Sequence, residues 1–227
     1  MVASRNSRVV RVAIMSALAV ISGCDAPTVD LENPAYDPSV QLDDGSRGTY
    51  HWPLGSTISV YADNSNAPAG VDLQSTVNQA IALWEETIYY REFDARVVND
   101  PAAADVVVQL STAPALVIIP TGCNRGAAPG VTTICTTGRT VVALPFASVD
   151  PPPSKVKMAV SVRRDAVGSE AAFLSLVAHE LGHVFGIGGH SNNAYDLMHA
   201  APTAPRPSEG DARTLRFVLR RPSALLL

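Results

Sequence analysis

The chain is poor in histidine, cysteine and aromatic residues, and it has no excess of basic ones. Of its 227 residues 6% are aromatic and 17% charged, and 17 Lys and Arg stand against 21 Asp and Glu, for a formal charge of −4. That balance supplies no basic field for nucleic acid, and no nucleic-acid partner is expected. No apolar run reaches the roughly eighteen residues that a membrane-spanning helix needs. An apolar fraction of 47% is equally too high for wholesale disorder. Internal repeats are missing and no second shift of composition marks a further domain, so the length suits one domain with additions. Two small counts carry more. There are three cysteines, an odd number, and five histidines, of which four (His179, His183, His190 and His199) fall within 21 residues.

The first segment reads as an address. Arg5, Arg8 and Arg11 precede the apolar stretch Val12 to Ile21, which ends in Ser22-Gly23-Cys24. This is the tripartite secretory pattern, and an apolar core of about ten residues is too short to span a bilayer. The tetrapeptide Ile21-Ser22-Gly23-Cys24 resembles the bacterial lipobox, which implies that Cys24 becomes the lipidated first residue of the mature chain. The alternative is an ordinary signal peptide with a chance cysteine. Residues 1–23 are thus expected to be a lipoprotein signal peptide. The product is expected in the bacterial cell envelope, anchored through lipid to the outer face of the inner or outer membrane. Loss of the leader removes three arginines and no acid, leaving 14 basic against 21 acidic residues and a charge of −7.

Export also accounts for the odd cysteine count. With Cys24 lipidated, Cys123 and Cys135 remain in a compartment where disulfides persist, and they are expected to be bonded across a turn-rich loop. A metal site or catalytic thiol is the competing reading, and the spacing lacks the CxxC pattern that would support it.

Residues 24–50 carry Pro27, Pro34 and Pro38 without a period of 2 or 3.6 and read as a tether. Residues 51–227 read as the domain. Ser56 to Ala62 alternates as a strand. Leu73, Val77, Ile81, Trp84 and Ile88 recur at three and four residues behind Asp72, predicting an amphipathic helix over 72–89. Strands follow at Arg91 to Val98, Ala104 to Leu110, Arg139 to Phe146 and Lys157 to Arg163. Ser169 then caps a helix running to about Phe185, and Ser208 with Asp211 three residues on opens a last helix as a capping box. Strand, helix, several strands and a long helix make an α+β, or mixed α/β, layer arrangement.

The long helix carries His179-Glu180-Leu181-Gly182-His183, which matches HExxH. Residues four apart share a helix face, so the two imidazoles can meet one metal ion while Glu180 stands beside them to take a proton from water. The bland alternative is a solvated helix face with two unrelated histidines.

The longer stretch HELGHVFGIGGHS, residues 179–191, resembles the metzincin motif HExxHxxGxxH, in its matrixin (matrix-metalloproteinase-like) version. Gly186 stands where that family ends the helix in a turn that needs positive φ. The family's third ligand would fall at Gly189, and the histidine here is one place later, at His190. Met198, in Asp196-Leu197-Met198, lies eight residues after His190 and resembles the methionine of the family's turn beneath the metal. The resemblance therefore implies His179, His183 and His190 as ligands of one catalytic Zn2+, with His199 or a carboxylate as the alternative third ligand. By itself Met198 would be an ordinary core methionine.

What the resemblance implies further is a zincin-like fold. Its twisted, mostly parallel sheet carries an antiparallel edge strand and packs on two long helices, one bearing HExxH, ahead of a small C-terminal subdomain. Val141, Val142, Ala143 and Leu144 of RTVVALPF would form the edge strand and pair with extended substrate. The activity implied is zinc-dependent endopeptidase, with Glu180 as general base. Tyr195 could contact the reacting centre, though packing is its default role. A monomer acting on protein or peptide is expected. The family's histidine-bound structural zinc is missing, since no histidine lies between His51 and His179, and no cysteine-switch propeptide is visible. Calcium is possible and has no readable site. Two other classes stay open: a gluzincin-type peptidase with Glu209 as third ligand, and a catalytically inactive zinc-binding or adhesion lipoprotein on a peptidase-like fold.

Overall fold

The computed structural model describes residues 33–42, 44–65, 67, 69–111, 130–137, 139–144, 155–163 and 168–227. All belong to one unit, Leu31–Leu227; the other, Met1–Asp30, lies outside the described residues and takes with it the expected signal peptide and Cys24. In chain order the elements are β1 (Val40–Gln41), β2 (Arg47–Gly48), β3 (Ser56–Asp63), α1 (Leu73–Glu85), β4 (Phe93–Val98), a 3₁₀ turn (Pro101–Ala103), β5 (Val106–Ser111), β6 (Gly130–Ile134), β7 (Thr136–Thr137), β8 (Thr140–Val141), β9 (Met158–Arg163), α2 (Glu170–Phe185) and α3 (Glu209–Leu219). No described helix is long and apolar enough to cross a membrane.

Five strands form the main sheet in the order β4-β3-β5-β9-β6, with β6 antiparallel to β9 and the other neighbours parallel. The mixed α+β expectation and its antiparallel edge are present. β5 and β9 are nearly continuous runs of Val, Ala and Met because a central parallel strand is covered on both faces. On one face the row Ala62, Val108, Val160 and Thr132 runs in register to the edge, against the core shared with α1 and α2. On the other, Val107 and Ala159 pack with Cys135, Leu144 and Val156.

α1 starts where Asp72 accepts from the Ser75 amide, and it stops four residues short of expectation, where the Thr87 hydroxyl takes the Trp84 carbonyl. Its Trp84 crosses to α2 by donating Nε1–H to Ala178 O at 2.7 Å. Phe185, at the end of α2, stacks on Phe93 of β4 at 4.5 Å between centroids. These contacts fix α2, and with it HExxH, against the sheet.

Two expectations need correction. Among the described residues the antiparallel edge of the main sheet is β6, Gly130–Ile134, rather than residues 139–144 of the expected strand. Val141 and Leu144 are buried at 1% exposure in the two cores. The main chain of this stretch is already engaged: Val141 N–H donates to Leu226 O, Val142 N–H to Cys135 O and Leu144 N–H to Val156 O. Val141 belongs to the short β7–β8 pair, and none of the four is placed in the main sheet; Phe146 lies outside the described residues. The β-branched run Val131-Thr132-Thr133-Ile134 supplies the strand instead. The second correction concerns the tether. Within residues 33–42 and 44–50, Leu42 and Tyr50 are buried in the core of the domain, and Tyr36 and Val40 pack against it. Cys135 is buried, and its expected partner Cys123 lies outside the described residues.

Candidate metal and active site

α2 begins with Ser169, whose hydroxyl accepts from the Ala172 amide, and ends at Gly186 with φ at +123°. The amides of Gly186 and Ile187 donate back to His183 O and Gly182 O. This reversal, which a side chain would strain, sends residues 187–190 back across the last turn of the helix. His190 then stacks against His179, with centroids 5.2 Å apart and planes at 14°, and stands edge-on to His183 at 4.9 Å. One ligand atom from each of His179, His183 and His190 lies within 4.8 Å of the others; among the described residues this is the group of that kind.

The tautomers follow from the neighbours. His179 Nδ1 lies 2.8 Å from Leu197 O and His183 Nδ1 lies 2.6 Å from Ile187 O. A carbonyl can only accept, so each Nδ1 carries the proton and each Nε2 keeps its lone pair, as a metal ligand requires. Burial, more than any other influence, lowers the pKa of His179 to about 4 and of His183 to about 3, and it lowers that of His190 as well. Three neutral imidazoles at neutral pH fit a borderline-soft dication such as zinc.

Glu180 is 3% exposed. Burial raises its pKa to about 7, against a hydrogen bond from Thr132 that lowers it. The Thr132 hydroxyl lies 2.7 Å from Glu180 Oε2 and 3.0 Å from Glu180 O, so the edge strand β6 holds the carboxylate in place.

Below the histidines, Met198 is fully buried, and its sulfur is so close to Gly182 that a Cβ there would overlap it. Ser191 N–H donates to Met198 O at 2.8 Å, which ties the loop of His190 to the methionine turn. Asp196 accepts from Ser191 Oγ at 2.5 Å, Ser208 Oγ at 2.7 Å and Asn193 Nδ2 at 3.1 Å. Asp211, with no exposed surface, accepts from the amides of Leu197 (2.7 Å), Met198 (3.3 Å) and Ser208 (2.9 Å) and from the Tyr36 hydroxyl (2.6 Å). Burial above all, then the charge of Asp211, raises the pKa of Tyr36, so it remains a donor.

The alternative third ligands are elsewhere. The His199 ring lies 3.1 Å from Ala201 O, outside the group of three, and Glu209 pairs with Arg216. Tyr195 is 86% exposed. Sequence reasoning missed Thr132, Tyr36 and Tyr50, whose hydroxyl donates to His183 O. It found Asp211 as a helix cap but not as the support of the methionine turn.

No family model matches the chain, and no curated protein does. Among solved structures it is similar to myroilysin, at 15% identity and a TM-score of 0.42, over 86% of this chain and 97% of that one. It is also similar to metalloproteinase-II from Bacteroides fragilis, at 13% identity and a TM-score of 0.36, over 75% of this chain and 55% of that one. Both likenesses are of low identity and low TM-score.

Proposed function

We propose that the protein is a zinc-dependent endopeptidase of metzincin, matrixin-like type, exported and anchored to a bacterial membrane through Cys24. The observation that carries the reading is the convergence of three neutral imidazoles, two with Nδ1 tied to carbonyls, beside the buried carboxylate of Glu180. His179, His183 and His190 would hold the metal. Zinc in such a site supplies a Lewis acid that polarises a carbonyl and lowers the pKa of water.

The chain's own groups do the rest. Thr132 fixes Glu180 through Oε2 and Oε1 lies against Gly130 of the same strand, and the carboxylate so held would take a proton from the attacking water and return it to the leaving nitrogen. β6, the edge strand that carries Thr132, is where an extended peptide would add as a further strand. A site that served only to bind metal would gain nothing from a buried carboxylate at position 180.

The test is cleavage of an unfolded protein by the zinc-loaded chain, compared with a chelator-treated sample and with Glu180→Gln carrying the same zinc. Hydrolysis by the wild type alone supports the reading. Equal inactivity of wild type and variant across a broad peptide library would favour the binding module. The leader pattern and Ile21-Ser22-Gly23-Cys24 support the anchor, and Cys123 with Cys135 would form the disulfide of the exported form. Incorporation of labelled palmitate in a bacterial host, lost in Cys24→Ser, is the check on lipidation; label retained in that variant would remove the anchor from the account.

A further inference from the structure

The stretch Ala35 to Val40 crosses the turn that delivers His190. Gly188 N–H donates to Pro38 O at 2.8 Å. A Cβ on Gly188 would run into the Val40 side chain and the Pro38 carbonyl, and one on Gly189 into the Asp37 carbonyl. The glycine pair is thus the surface on which this stretch lies, as well as a turn.

The stretch is fastened on both sides of that crossing. Upstream, Ala35 N–H donates to Thr214 Oγ1 at 3.0 Å and the Tyr36 hydroxyl to Asp211 Oδ1 at 2.6 Å, both on α3. Downstream, Asp37 accepts from the amide and hydroxyl of Ser39 and from Arg47 at 2.9 Å, which closes the β1–β2 ribbon. Asp211 in turn holds the amides of Leu197 and Met198, and Leu197 O orients His179. One stretch of chain therefore braces the loop of the third histidine and meets the carboxylate that supports the methionine turn.

We infer that residues 35–40 form a strap that sets the position of His190, with Tyr36 and the Gly188–Gly189 pair as positioning residues for the third metal ligand. This rests on the reading of the histidine triad as a metal site. A ligand on a short loop binds well only when the loop is held in the bound geometry beforehand, and loss of such outer support commonly weakens metal binding by about 10- to 100-fold. Tyr36 touches no ligand, so it would act through the strap, which its bond to Asp211 anchors.

The experiment measures zinc affinity by chelator competition on the full chain for wild type, Tyr36→Phe, Gly189→Ala and His190→Ala, and for the first two substitutions combined with His190→Ala. Circular dichroism reports folding, and the absorption spectrum of the cobalt-loaded protein reports the ligand set. The expected result is weaker zinc binding by about tenfold or more in Tyr36→Phe and in Gly189→Ala. That factor should largely disappear when His190 is already gone, because the strap acts through that ligand. The cobalt spectra of the single variants should move toward that of His190→Ala. Wild-type affinity in a folded Tyr36→Phe, or the same factor with and without His190, would overturn the strap. Should Gly189→Ala fail to fold, Tyr36→Phe carries the test alone. A wild-type chain that binds no zinc would overturn the metal-site reading itself, and the strap with it.

Discussion

Replacing Glu180 by glutamine removes a charge while keeping the shape of the side chain and an acceptor for Thr132. In the metal-free protein burial raises the pKa of Glu180 from its ordinary 4.5 to about 7. The native state therefore keeps the proton through a window in which the unfolded chain has already released it. The stability this lends is fully present below pH 4.5 and is lost as pH rises through 7. At about 1.4 kcal/mol for each tenfold change in proton affinity, the charged carboxylate costs the native state about 3 kcal/mol above pH 7. That is a large share of the 5–15 kcal/mol typical of a domain. Glu180→Gln should then be close to wild type in stability at pH 4.5 and about 3 kcal/mol more stable at pH 8. Urea unfolding of chelator-treated protein at a series of pH values measures it. His179 and His183 also titrate, in the opposite sense, since their lowered values cost stability as pH falls below 6.5, but they do so in both proteins and cancel in the difference. A difference between the two proteins that stays constant from pH 4.5 to 8 would refute the reasoning.

Thr132→Val removes the hydroxyl that holds Glu180 and should destabilise the metal-free protein by about 1–3 kcal/mol, more at pH 8 than at pH 4.5, because the bond favours the charged form. A loss independent of pH in the same urea series would contradict that role. Asp211→Asn puts an amide among four donors and should cost about 3 kcal/mol in urea unfolding, with the Ser208 cap, the methionine turn and Tyr36 all affected. A loss below about 1 kcal/mol would mean that these bonds carry little. Truncating His190 to alanine should weaken zinc binding more than a hundredfold or so, whereas His199→Ala should leave it within a factor of about two. Equal losses in the two variants would make His199 a fourth ligand and close the site.

The parts of the molecule legible in the sequence are those fixed by neighbours along the chain. Ser169, Gly186 and the Ser208–Asp211 box set the helix ends, and four-residue spacing places His179 and His183 on one face. His190 was readable against Gly189 because Met198 gives a second landmark on the same loop. The rest depends on residues far apart in sequence. Tyr36 lies 175 residues from Asp211 and Thr132 lies 48 from Glu180, and no period or spacing encodes either pairing. Residues 24–50 read as a tether because proline and aspartate hide contacts made far along the chain, among them the Pro38 carbonyl on Gly188, the Tyr36 hydroxyl on Asp211 and the buried ring of Tyr50. RTVVALPF alternates well enough to pass for an edge strand, yet Val141 is buried in the core shared with the helices and Leu144 in the cluster on the far face of the sheet, while the less conspicuous GVTTI takes the edge. The glycine pair, readable as slack in the ligand spacing, is the close contact under the strap.

The central claim is that three histidines hold one zinc and leave a position open beside Glu180. Zinc analysis with X-ray absorption at the zinc edge on the purified full chain tests it most directly. The account predicts one zinc per chain with three imidazole nitrogens at about 2.0 Å and one further light atom from solvent, falling to two imidazoles in His190→Ala. Four protein ligands around the metal, a sulfur among them, or a spectrum unchanged by His190→Ala would contradict it.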